Sequence, residues 1–503
     1  MRIKKIVVAG GGTAGWMVAA SLKKHFGDLV ELSLIESPEV GRIGVGEATI
    51  PTIRRFYQSL GMRDVDVMRA TQATCKLGIQ FNDWHSNGSS FIHPFGLYGQ
   101  NIDGVDFHHY WAKMFKQGLA SQLGDYSLGV TLASNNKFTL PSTNPPSSLS
   151  VFDWALHMDA ALFADHMATF AKARGVDHIC ATIAQVNTDN NTGNISSLTL
   201  DSGAPVTADL FIDCTGFKAL LIEKTLGVQL EDWSHWLPCD SAWAVQTRGD
   251  NTLPPYTRVD AKQAGWQWNI PLQHRVGKGQ VYCSKYQTDQ SALDELLQSA
   301  DGSLLTEPKQ LRFTAGRRKI SWSKNCIAIG LAAGFLEPLE STSIALVETA
   351  IEKIKTMLTS PSYSDAIVNE FNQTTALEYE RVRDFLILHY KLNRREDSDF
   401  WKSCAAMTIP DSLQHKLELF RSSGYIVNYR WEMFHQPSWL AIFAGFNYLP
   451  NNYHMRVDQI NEQSVAAGLT KMKVALSSSV ANAPDHSEFI RDYCAVEVVD
   501  EAH

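Results

Sequence analysis

Nowhere does this sequence run eighteen or more uncharged apolar residues together, so nothing in it reads as a membrane span. Cysteine is sparse and unpatterned. The eight residues at 75, 180, 214, 239, 283, 326, 404 and 494 show no CxxC and no Cys/His ligand spacing, which argues against a zinc module or a disulfide scaffold. No metal is expected, and reduced thiols in a cytoplasmic protein fit best. Positive charge is in deficit, with 45 Lys and Arg against 53 Asp and Glu for a net −8. With no basic run interleaved with aromatics, nucleic acid is excluded as a partner. Internal repeats and low-complexity segments are absent too; Pro and Ser crowd only at 141–149 (PSTNPPSSL), which reads as an exposed loop. The opening MRIKKIVVAGGGTAGWMVAASL has a basic head and an apolar stretch, but glycines interrupt the place of a signal peptide's apolar core.

What is present is enough for a large core. The 503 residues are 44% hydrophobic and 19% charged, enough for two or three structural units at about 100–200 residues each. Lys5–Ala9 (KIVVA) reads as a buried parallel strand, after which Gly10-x-Gly12-x-x-Gly15 opens a helix running to about Lys24. The glycines give a tight turn, a bare backbone against a pyrophosphate and close helix packing, while the helix N-terminus, with Thr13 and Ala14, faces the negative charge. A second strand, Val30–Ile35, ends at Glu36, where a carboxylate can accept ribose hydroxyls. Two later stretches, ADLFIDCTG (208–216) and CIAIGLAAG (326–334), each place a strand before a Gly turn, the second ahead of a helix, and Leu331 lies in the latter. Three separated pieces returning to one cofactor resemble the hydroxylase type of flavoprotein and favour FAD over NAD. A strand over Asp177–Val186 would then lie at the adenine side, with the backbone near Ile183 as a contact. No second complete GxGxxG exists, so reduced flavin is expected from a separate reductase.

Five pieces stand in order: Gly10–Gly15, GVGEATIP (44–51), Lys76 in TCKLGIQFNDW, WQWNIP (266–271) and EPLESTSI (337–344). Together they resemble the flavin-dependent halogenases of the tryptophan halogenase family. The resemblance implies an α/β protein with an FAD-binding, hydroxylase-like doubly wound fold, a mixed sheet layer and a helical C-terminal subdomain. The implied boundaries are 1–240 for the FAD lobe with a substrate-facing insertion at 80–150, 241–325 for the mixed sheet, 326–345 for the return to the flavin, and 346–503 for the substrate cap. It implies that reduced FAD, O2 and halide yield hypohalous acid, which halogenates an electron-rich arene, indole or tryptophan-like, by electrophilic aromatic substitution. The oligomeric state is left open, a homodimer being one option.

Residue roles follow from the same resemblance. Lys76 matches the catalytic lysine; Thr74–Ile79 alternates like a half-buried strand, where a lysine is unusual unless paired or functional. An ammonium near its ordinary pKa of about 10.4 donates a hydrogen bond to hypohalous acid, whereas a haloamine needs the neutral amine, and both routes stay open. Glu340 matches the acid that stabilises the cationic arene and takes its proton. It also stands near the start of a helix, Ile344–Met357, for which Ser341 or Thr342 reads as N-cap. The backbone at Thr342 and Ser343 matches the halide site, with Ile344 against the flavin. Ser343 departs from the pattern, since the well-known tryptophan halogenases carry Gly there. If the position needs φ > 0, Ser is strained; otherwise its hydroxymethyl reshapes the halide pocket, and bromide over chloride follows. Glu47, Ala48 and Thr49 match the strap on the cofactor side, and His93 and Phe95 of FIHPFG match the arene pocket wall. GWQWNIP points Trp266 and Trp268 to one face of a strand, where the family suggests a wall between flavin and arene. The C-terminal third is helical and aromatic, yet shows no paired tyrosines followed by an acid, so free tryptophan is not assured as substrate. An FAD-dependent aromatic monooxygenase or a non-catalytic flavoprotein would share the nucleotide motifs but would not need Lys76 with Glu340.

Overall fold

The computed structural model describes residues 3–39, 46–249, 252–300, 302–360 and 362–494. Gly44 and Val45 of GVGEATIP therefore lie outside the described residues. The chain divides into two units, each woven from three separated segments: Met1–Ala73, Met158–Asp240 and Arg312–Glu380 in the first, Thr74–His157, Ser241–Leu311 and Arg381–His503 in the second.

The first unit is built on a six-stranded sheet ordered Trp322–Ser323, Cys326–Ala328, Leu210–Asp213, Lys5–Ala9, Glu31–Glu36, Asp177–Cys180, parallel except for the first. Lys5–Ala9 is central, and Ile6, Val7, Val8 and Ala9 are wholly buried, as a strand covered on both faces requires. The helix Thr13–Phe26 follows it directly and packs against Ala160–Lys172 and Ser343–Met357. Lys23, Lys24 and His25 in the last turn of the first helix complement its dipole.

The second unit carries a seven-stranded sheet ordered Lys309–Arg312, Ser241–Thr247, Val276–Tyr282, Gly265–Pro271, Thr257–Lys262, Gly78–Asn82, Ser90–Pro94. It is mixed: Thr257–Lys262 runs parallel to Gly78–Asn82 and antiparallel to Gly265–Pro271. Two of its strands come from upstream of residue 100. Helices Asp399–Ala406, Asp411–Ser423, Gln436–Gly445, Glu462–Ala481 and His486–Cys494 supply the aromatic C-terminal part. Among the described residues no helix is long and apolar enough to cross a membrane.

Three local expectations need correction. Asp177–Val186 is not one strand: Ala181 N–H donates the last ladder bond to Glu36 O (3.1 Å), and Ile183–Thr188 then joins a separate antiparallel sheet. The stretch 326–334 leads into a 3-10 turn, Gly330–Ala332, and the helix waits until Ser343. Thr74–Ile79 breaks at Leu77, whose N–H goes to Pro255 O (2.7 Å), and Thr74, Cys75 and Lys76 are buried rather than half-exposed.

Candidate functional site

In the first unit the Gly-rich turn is shaped by close backbone approaches. Gly10 has φ +112°, and a Cβ there would lie 2.2 Å from Cys214 O; a Cβ on Gly15 would lie 1.9 Å from Gly10 O. Both positions are closed to any side chain. Gly12 is the reverse: exposed, at the N-cap of Thr13–Phe26, with nothing within 4 Å of an added Cβ. The first turn of that helix holds no acid, and Thr13 Oγ1 donates to Ala160 O at 3.3 Å. A bare helix N-terminus over open space is the donor set a pyrophosphate requires, so the residues fit a dinucleotide.

The other pieces converge on this turn. Glu36 ends its strand, its side chain lies where a Cβ on Gly11 would go, and its Oε2 stands 3.1 Å from His178 Nε2. Ser37 and Thr182 hydroxyls meet at 2.9 Å, so the chain just before Ile183 runs beside Glu36. Gly330, before Leu331, has φ +67° and packs so tightly that a Cβ would lie 2.9 Å from Ala14 Cβ. Asp213 proves to be a fold organiser. Oδ1 accepts from Thr215 N (3.0 Å) and Oγ1 (2.6 Å), and Oδ2 accepts from Leu221 N (2.9 Å) and Ile222 N (2.8 Å).

Glu47 lies in the strand Gly46–Ala48, followed by buried Thr49, and burial pushes its carboxyl up to about 7. Glu340 closes the 3-10 turn Pro338–Glu340 and is 1% exposed, as is Glu337. Ser341 then takes a left-handed conformation (φ 60°, ψ 36°), and Thr342 heads the helix Ser343–Met357. The positive φ of this segment thus belongs to Ser341; Ser343 is the first helical residue and carries no such strain. Thr342 is the N-cap, yet its side chain caps nothing, and its buried Oγ1 has no hydrogen-bond partner. An orphaned hydroxyl at an uncapped helix start, with no acid in the first turn, has the chemistry to receive a small anion. Ile344 is buried just inside that helix.

In the second unit Lys76 is fully buried, and its Nζ stands 5.2 Å from the Phe95 ring centroid. His93, on Ser90–Pro94, is 1% exposed and meets Phe385 and Phe434 at 5.8 and 6.1 Å between ring centroids. The His93 ring stands at 62° to Phe385 and 53° to Phe434, so it packs edge-on and tilted among these apolar rings. Trp266 and Trp268 lie on Gly265–Pro271 with centroids 6.0 Å apart; Trp266 is buried and Trp268 half-buried. Trp268 pairs with Gly279 across the ladder, where a Cβ would lie 2.1 Å from the indole, so the ring rests on bare backbone.

Sequence reasoning missed the groups that hold the Lys76 strand. Thr74 and Lys76 share a face of the strand Thr74–Lys76, which pairs antiparallel with Ala155–Asp159 so that Thr74 opposes His157 and Lys76 opposes Ala155. Thr74 Oγ1 donates to Pro271 O (2.7 Å), His157 Nδ1 lies 3.1 Å from Thr74 Oγ1, and His157 Nε2 lies 2.9 Å from Thr257 Oγ1. His486 Nε2 accepts from Cys75 N at 3.1 Å, and its Nδ1 donates to Leu253 O at 2.6 Å. A lone polar side chain inside the apolar run WALHM was the available signal for His157.

The family model described as tryptophan halogenase matches residues 5–462. Among solved structures, the chain resembles BrvH, a flavin-dependent halogenase from Brevundimonas sp. BAL3, with a TM-score of 0.95, 53% identity, and coverage of 98% of this chain and 100% of that one. It resembles Xcc4156, a flavin-dependent halogenase from Xanthomonas campestris, with a TM-score of 0.95, 42% identity and 99% of each chain covered. Tryptophan 6-halogenase SttH of Streptomyces toxytricini is 36% identical over 443 residues, 83% of this chain and 84% of SttH.

Proposed function

Since this chain belongs to the tryptophan halogenase family, we propose that it halogenates an indole-type arene with Lys76 and Glu340 as its catalytic residues. It is a flavin-dependent halogenating enzyme, and the alternative of a non-catalytic flavoprotein has no observation in its favour. Reduced FAD held at Gly10–Gly15 would supply, with O2 and halide, the hypohalous acid that the protein then directs. The pyrophosphate would rest on Gly12, Thr13, Ala14 and Gly15, the ribose near Glu36, the adenine side near Ile183, and the remaining contacts would come from Glu47, Ala48, Leu331 and Ile344. A separate reductase would deliver the reduced flavin.

The observation that carries the reading is Lys76, a wholly buried lysine whose Nζ faces the Phe95 ring. Cation–π attraction suits an ammonium in that place, and an ammonium can donate to hypohalous acid and make its halogen more electrophilic. Glu340 would take the proton that the arene must lose. Thr342 and Ser343 would hold the halide, the unstrained hydroxymethyl of Ser343 narrowing the choice toward bromide. His93 and Phe95 would line the arene pocket. Trp266 and Trp268 would keep the arene from the flavin.

The protein should be incubated with a flavin reductase, FAD, NADH and equal chloride and bromide against a panel of indoles, phenols and pyrroles, with products read by mass spectrometry. Brominated indoles are expected. Preferential chlorination would remove the halide assignment, and hydroxylated products without halogen would replace halogenation by monooxygenation. Lys76→Ala should leave flavin oxidation intact and cut halogenated product by at least about 100-fold, the order that a positioned proton donor supplies.

A further inference from the structure

The strand that carries Lys76 has only three residues, Thr74–Lys76, too short to fix the direction of a long side chain by itself. Among the described residues its one paired edge is the Ala155–Asp159 strand, and the residue opposite Lys76 there is the small Ala155. The side chain that fills the same face beside it is His157, diagonal to Lys76 and directly opposite Thr74. Thr74, His157 and Thr257 are all 4% exposed or less, so each polar atom must be satisfied from within.

The donors sort themselves uniquely. Thr74 spends its hydroxyl hydrogen on Pro271 O, so the 3.1 Å contact must run from His157 Nδ1–H to Thr74 Oγ1. His157 Nε2 is then the acceptor, and Thr257 O–H donates to it at 2.9 Å. The relay therefore runs Thr257 to His157 to Thr74 to Pro271, and it ends on the last residue of the strand Gly265–Pro271 that bears the two tryptophans.

We propose that His157 is the positioning residue for Lys76: locked in one tautomer, it ties the Lys76 strand to Thr257 and to Pro271 and so fixes where the ammonium points. The inference rests on the assignment of Lys76 as catalytic. Burial first, then the charge of Lys76, then His486, drive the His157 imidazole well below its ordinary pKa, so the relay keeps a single proton and a single direction. A second cation beside the lysine is avoided by the same means. His157 touches no reacting atom; its effect on the reaction passes through Thr74 and the two-residue link from Thr74 to Lys76.

The test reads halogenated product formed per reduced flavin oxidised, with bromide and the panel arene that the parent protein brominates best, indole first. His157→Leu and the isosteric Thr74→Val should each lower this ratio about 10–100-fold, the scale of a misplaced reacting group, with flavin oxidation and the KM for arene unchanged. The double variant should be no worse than the poorer single one, because one relay is broken only once. Thr74→Ser, which keeps the hydroxyl, should restore the ratio. A ratio unchanged in His157→Leu, or losses that multiply in the double variant, would overturn the proposal. If His157→Leu does not fold, Thr74→Val against Thr74→Ser decides alone, and equal ratios in the two overturn it. Lys76→Ala run alongside separates the two failures: product surviving there removes the role of Lys76 itself, whereas product lost there but retained in His157→Leu removes only the positioning role.

Discussion

Burial raises the Glu348 carboxyl from its ordinary 4.5 to about 8, with Glu352 adding to the shift and Thr52 and Arg55 opposing it. The folded chain thus binds this proton more firmly than the unfolded one. Its contribution to stability is full below pH 4.5, falls as pH rises from 4.5 to 8 and is gone above, at up to about 1.4 kcal/mol per pH unit. Glu47 acts in the same sense up to about 7. Glu348→Gln keeps the shape and removes the charge, so its melting temperature should match the parent's near pH 5 and exceed it at pH 8.5. Parallel melting curves across that range would show that burial does not hold the proton. Residues of this kind were invisible in the sequence, because nothing local distinguishes a buried glutamate on a helix from an exposed one. The residues proposed for halogenation were easier to nominate, since Lys76 and Glu340 sit inside the short strings TCKLGIQFNDW and EPLESTSI that carry the family resemblance.

At the scale of elements, the strand character of GWQWNIP was readable from its alternation, which places both indoles on one face. The bare backbone beneath Trp268 was not readable, since Gly279 lies on the next strand and looks there like an ordinary flexible residue. Gly279→Ala would drive a methyl into the indole and toward Trp243 O, 2.5 Å from the new carbon. Such overpacking should cost about 1–3 kcal/mol in denaturant unfolding and tilt Trp268 out of place. If the tryptophans separate arene from flavin, the variant should also release more peroxide per flavin oxidised or yield hydroxylated arene. A destabilised variant with unchanged product distribution would leave the pair as packing only. Asp177–Val186 failed for the opposite reason: its alternation continues, but the parallel ladder beside Glu31–Glu36 ends at the Ala181 N–H bond to Glu36 O, and Ile183–Thr188 pairs instead with Ile195–Leu200.

For the molecule as a whole, the Gly-rich turn was legible because its strand, glycines and helix follow one another within Lys5–Phe26, whereas the support of Lys76 comes from afar. His157 is 83 residues from Thr74, and His486 is 411 residues from Cys75. A chain stopped after Pro484 would lose His486, the partner of the buried Cys75 N–H and of the half-buried Leu253 O, at about 1–3 kcal/mol for the buried group. The first unit takes no segment beyond Glu380, so this chain should bind FAD within about threefold of the parent by flavin titration while its halogenated product falls sharply. Undiminished product would show that the His486 contact is dispensable.

The three-segment weave also sets an order of events on the ribosome. Every segment of the first unit has been synthesised by Glu380, while the lysine made at position 76 must wait for His486 before its strand is held on both edges. A nascent chain can therefore complete its nucleotide fold more than a hundred residues before its lysine is in place. Arrested translation products would be flavin-binding chains with unfinished chemistry, and chaperone dependence should concentrate on the last part of synthesis.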